Sequence, residues 1–112
     1  MPFDPSDPDF LMEHFVNHGR DFGAKTPQEY ESMADLFMTK PKTPDMEECI
    51  RRTGGDVLCR YDKRTKEYGT MFVGGFVNTY FIPVPGAHLA EGDRPWWMHG
   101  KRTNLEYFRA CC

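Results

Sequence analysis

The feature that most constrains this chain is a change of hydrophobic period at Cys49. Upstream, apolar residues recur at helical spacing. Downstream they alternate, so a period near 3.6 gives way to a period of 2. A chain of 112 residues holds one core rather than two. The expected fold is therefore α+β: N-terminal helices packed on an antiparallel β-sheet of three or four consecutive strands.

Residues 1–9, with Pro2, Pro5, Pro8 and three Asp, form an extended lead-in, read as a linker remnant, and residues 10–112 form the single domain. Asp7-Pro8-Asp9 opens a helix: Asp7 caps it, Pro8 suits the first turn, and Asp9 favours the positive end of the dipole. Phe10, Leu11, Phe15 and Val16 follow in partial helical rhythm, and Gly19 is expected to end the helix. Thr26-Pro27-Gln28-Glu29 has the form of a capping box. It precedes a buried stripe of Tyr30, Met33, Ala34, Phe37 and Met38, which Lys40-Pro41-Lys42-Thr43-Pro44 terminates.

Residues 10–48 are thus the helical part and residues 49–83 the sheet. Strands are expected at Cys49–Arg52, Val57–Asp62, Tyr68–Val73 and Phe76–Pro83. Lys63–Lys66 and Gly74-Gly75 supply the hairpin turns. Residues 84–112 are loop-rich, with Thr103–Cys112 a short final helix or strand.

No apolar run approaches the roughly 18 residues of a membrane span. The opening residues lack the charged and apolar regions of a signal peptide, and read as a cut in a longer polypeptide or as a short free protein. Cys49, Cys59, Cys111 and Cys112 make no zinc-ligand spacing. Free thiols are expected, although the spacing also allows a Cys49–Cys59 bridge. The net charge is −3 but unevenly spread. Residues 1–50 hold 4 Lys/Arg against 11 Asp/Glu, residues 51–70 hold 6 against 3, and residues 71–112 hold 4 against 3. The positive charge falls on the sheet, compatible with a basic cleft and equally with a solvated surface.

His14 and His18 are four apart and share a helix face. Two such imidazoles suit acid–base work near neutral pH; one packed and one solvated histidine is the bland alternative. As a metal pair they lack HExxH, because position 15 is Phe. In the second strand, alternation puts Leu58, Arg60 and Asp62 on one face and Val57, Cys59 and Tyr61 on the other. A mid-strand Arg60 needs a partner, either a phosphate or a cross-strand carboxylate. In the last strand Thr79 and Tyr80 point to opposite faces unless a bulge intervenes. Arg51, Arg52 and Asp62 flank the same region as candidate substrate contacts. In the tail, Trp96 and Trp97, with His88, His99, Arg94, Lys101 and Arg102, either stack on bases or anchor the loop.

Taken in order, these pieces resemble a known superfamily. The run from His14 through His18-Gly19 to Phe22-Gly23, then Thr26-Pro27-Gln28-Glu29-Tyr30 and Ala34, resembles HxxxHGxxFGxxSPxEYxxxA. That pattern opens toxin and phage-associated nucleases of the barnase–EndoU–colicin–RelE (BECR) superfamily. Gly54-Gly55, Arg60-Tyr61-Asp62, Gly75 and Thr79-Tyr80-Phe81-Ile82-Pro83 are similar to its strand motifs. The likeness spans residues 10–83.

The resemblance implies a barnase-like fold, N-terminal helices packed on a four-stranded antiparallel β-sheet, and RNA cleavage, often of tRNA, without metal or cofactor and through a 2′,3′-cyclic phosphate. It places catalysis on His14 or His18 as base or acid, Arg60 on the phosphate and Thr79 positioning it, with Tyr80 as second choice. It further implies a monomeric toxin module, secreted or delivered within a larger protein, acting in the target-cell cytoplasm and neutralised by an immunity protein. An inert protein- or RNA-binding module and an ADP-ribosyltransferase remain alternatives; a zinc deaminase lacks its PCxxC. The catalytic reading requires His14 or His18 to face Arg60 and Thr79 across one cleft.

Overall fold

The computed structural model describes residues 2–52, 55–83 and 104–111. In chain order it contains α1 (Pro8–His18), a 3-10 turn (Gly19–Phe22), α2 (Pro27–Thr39), β1 (Met46–Arg52), β2 (Asp56–Asp62), β3 (Tyr68–Phe72), β4 (Val77–Phe81) and α3 (Asn104–Cys111). The four strands pair antiparallel in the order β1-β2-β3-β4. The protein is α+β, with helices packed against a four-stranded antiparallel sheet.

Local chemistry accounts for the helix starts. The Asp7 carboxylate accepts from the Phe10 amide, and Thr26 Oγ1 accepts from the Glu29 amide at 3.1 Å. The end of α1 differs from expectation. Gly19 remains right-handed, and the chain tightens into the 3-10 turn before Gly23 takes φ +69°. A left-handed residue stops a helix at no steric cost only when it lacks Cβ. The extra turn brings Asp21 back beside His18.

β1 begins at Met46, three residues earlier than alternation from Cys49 suggests. Met46 pairs with Asp62 and is buried, so the ladder runs to the end of β2. Glu48 stands opposite Arg60 in that added stretch. β4 is shorter than expected and carries a register shift opposite Thr70 and Met71. The bulge falls at Asn78, so Val77 and Tyr80 share a face.

Both faces of the sheet are covered. On one, Phe3, Tyr30, Ala34, Phe37 and Met38 pack on Met46, Val77 and Tyr80, with Phe10, Leu11 and Phe15 of α1 against them. Val16 faces away, at 63% exposure. Gly69 lets α2 approach: an added Cβ would lie 2.6 Å from Met38 Sδ and 3.1 Å from the Phe37 ring. On the other face, Val57, Cys59, Tyr61, Tyr68 and Phe81 pack with Phe108 of α3. Arg109 of α3 pairs with Glu47 at 2.9 Å.

The expectation of free thiols is corrected at Cys49, which is disulfide-bonded to a cysteine whose side chain lies outside the described residues. Cys59 is a buried thiol outside any disulfide, which excludes the Cys49–Cys59 bridge. Both cysteines lie on the α3 side, directly opposite one another, with Cys59 inside the cluster and Cys49 packed against it. Among the described residues no helix is long and apolar enough to cross a membrane.

Candidate acid–base site at the edge of the sheet

In an antiparallel sheet, residues directly opposite one another share a face. The row Glu48–Arg60–Gly69–Tyr80 therefore lies under α2, and the row Cys49–Cys59–Thr70–Thr79 lies on the α3 side. Arg60 and Thr79 are on opposite faces. The single cleft holding His14 or His18, Arg60 and Thr79 does not form.

Arg60 is 6% exposed, and its guanidinium makes four hydrogen bonds among the described residues. Nη1 donates to the carbonyls of Phe37 (2.8 Å) and Lys40 (2.7 Å), while Nε and Nη2 donate to Glu48 Oε1 at 2.9 and 2.6 Å. These bonds satisfy carbonyls at the C-terminal end of α2, which lack partners within the helix. Arg60 ties α2 to β1 and β2; the cross-strand carboxylate is its partner.

Tyr80 is likewise committed to the α2 side. Its ring stacks on Phe22 at 4.0 Å, its hydroxyl donates to Glu67, and its carbonyl accepts from the Tyr30 hydroxyl. Burial raises the pKa of both phenols, and the Glu67 carboxylate pushes that of Tyr80 further up. Asp62 accepts from the amides of Arg64 (2.7 Å) and Thr65 (3.2 Å), an Asx-type arrangement that shapes the β2–β3 turn. Arg52 pairs with Asp56 in solvent at 3.0 Å. Arg51 is half-buried, opposite Val57 on the α3 side. His88, Arg94, Trp96, Trp97, His99, Lys101 and Arg102 lie outside the described residues.

What does come together is the histidine pair with the edge strand. The His14 and His18 rings are 6.2 Å apart between centroids. His14 Nδ1 lies 2.9 Å from the Phe10 carbonyl. Because a carbonyl only accepts, Nδ1 carries the hydrogen, and Nε2 of the neutral ring holds the lone pair. His18 stacks on Phe81 at 5.0 Å, with its Nδ1 3.8 Å from Asp21 Oδ2. Asp21 Oδ2 also accepts from the Ile82 amide at 3.4 Å, which fixes it to the end of β4.

Partial burial lowers the pKa of His18 below the usual imidazole value of 6.5. Asp21 opposes that shift, whereas His14 and Arg20 add to it. Thr79 precedes Phe81 by two residues on the same face, roughly 6–7 Å along the strand. Among the described residues, no three His, Cys, Asp or Glu side chains gather where they would hold a metal ion.

Arg20, Asp21 and Phe81 were not singled out from the sequence. Arg20 and Asp21 sit inside the same motif as the histidines, but the 3-10 turn that folds them back was not legible. Phe81 belongs to the last-strand motif, and nothing in the spacing marks it as a partner of His18. Comparison of the chain with protein-family models and with curated protein sequences returns no match.

Proposed function

We propose that this chain is a metal-independent ribonuclease that cleaves RNA through a 2′,3′-cyclic phosphate, with His14 and His18 as its acid–base pair. The observation that carries the reading is the pair itself: two imidazoles on one helix face, 6.2 Å apart, one held beside a carboxylate. The lowered pKa of His18 keeps it neutral near pH 7, the form a general base needs. His18 Nε2 takes the proton of the ribose 2′-hydroxyl as that oxygen attacks phosphorus. His14, protonated at Nε2, returns a proton to the departing 5′-oxygen. Arg20, exposed beside His18, supplies the cation for the phosphate in place of Arg60. Thr79 offers a hydroxyl on the strand face that Phe81 shares.

The likeness of the motif order to nuclease toxins supports a wider reading: a toxin module acting on tRNA or other RNA in a target cell and blocked by an immunity protein. Incubation of the purified protein with total bacterial RNA in EDTA tests the activity. Discrete cuts with cyclic-phosphate ends are expected, and His14→Ala or His18→Ala should lower the rate at least about a hundredfold. Intact RNA in EDTA, or full activity in both variants, overturns the assignment. Specific RNA retention without cleavage would point instead to a binding module.

A further inference from the structure

On the α2 side of Asp21, away from the histidines, the 3-10 turn, α2 and the β2–β3 turn border an open cavity of about 440 Å³. Three aromatic side chains, Phe22, Phe37 and Tyr80, wall it. Two carboxylates, Asp21 and Glu67, also line it. Among the described residues Glu67 accepts from neutral hydroxyls only: Thr65 at one oxygen (2.7 Å) and Tyr80 at the other. Asp21 has an amide and the His18 ring as partners. Among the described residues neither acid pairs with a lysine or arginine. One ammonium lines the wall, that of Lys40, which sits 5.6 Å from the Phe37 ring centroid rather than on a carboxylate.

An anionic pocket with aromatic walls selects for charge and shape together. A cation gains from the ring faces and from the carboxylates. A planar guanidinium gains more than an ammonium, because it stacks flat, is weakly hydrated and presents parallel donors to the two oxygens of one carboxylate. Each Glu67 oxygen already accepts one hydroxyl and retains a further lone pair.

We propose that this cavity is a binding site for an alkylguanidinium group, with Glu67 as its anchor and the aromatic wall as its stacking surface. The group is either a free small molecule or the arginine side chain of a partner polypeptide. The site shares Asp21 with the histidine pair and stands whether or not the protein cleaves RNA.

The test is a titration followed by amide chemical shifts, with propylguanidinium as the free ligand and N-acetylarginine N-methylamide as the chain-borne one. Propylamine and neutral propylurea serve as controls. Saturable shifts at Phe22, Glu67 and Tyr80 are expected with both guanidinium probes, and the tighter of the two identifies the source: propylguanidinium a free small molecule, N-acetylarginine N-methylamide a partner's arginine. Propylamine should bind more weakly and propylurea not measurably. Glu67→Gln, which keeps an acceptor for one hydroxyl and offers its amide N–H to the other, should weaken binding about tenfold or more. Lys40→Met should tighten it by removing the like charge. The proposal fails if neither guanidinium saturates these shifts, if propylurea binds as well, or if Glu67→Gln binds as the parent does.

Discussion

His18 shows how a single side chain acquires a role from its surroundings. Phe81 covers one face of its ring and Asp21 lies near Nδ1, while burial holds its pKa below 6.5. Folding therefore opposes protonation at this site. Below pH 6.5 the unfolded chain binds this proton more readily, so stability is complete above that value and falls as pH drops through the folded-state pKa. Replacing His18 with Phe keeps a ring against Phe81 and removes the titration. Urea unfolding from pH 7 to 5 should show a shallower loss of stability in His18→Phe than in the parent; equal slopes would exclude the linkage.

Arg60 belongs to the scale of elements, because it joins three of them. The sequence left two partners open for it, a phosphate or a cross-strand carboxylate, and the register of β1 chose the second. Met46–Arg52 places Glu48 opposite Arg60, and α2 presents its last carbonyls over the same spot. Arg60→Ala leaves Glu48 and those carbonyls without their donor. Unfolding free energy should drop by about 3 kcal/mol, while RNA cleavage per folded molecule stays unchanged. A loss of cleavage without a loss of stability would return Arg60 to the active site. The capped starts of α1 and α2 were legible in advance, because an N-cap depends on residues three apart. The 3-10 turn was not, because Gly19 and Gly23 are equally plausible stops until the Phe15 ring occupies the space beside Gly19.

Across the whole molecule, the sheet separates two chemistries. The α2 side holds Arg60, Tyr80, Glu67 and the anionic cavity. The α3 side holds Thr79 and the cluster around Tyr61, Tyr68 and Phe108. α3 was expected only as a short helix or strand, with no face assigned; its aromatic seam and the Arg109–Glu47 pair fix it to the sheet. The disulfide at Cys49 adds a covalent tie on that side. Reduction should lower unfolding free energy by about 2–4 kcal/mol. Cys59→Ala should leave that increment unaltered, since Cys59 forms no disulfide; an unchanged transition after reduction would argue against the bond.

By itself the sequence determined the change of period at Cys49, and with it the class of fold, the order of elements and the shared helix face of His14 and His18. Those properties depend on neighbours a few residues apart, which spacing records. Tertiary structure alone decided which candidates meet. The pairing register put Arg60 and Thr79 on opposite faces, and the 3-10 turn brought Asp21 to His18. A strand's facing depends on its partners, and one residue of slip reverses it.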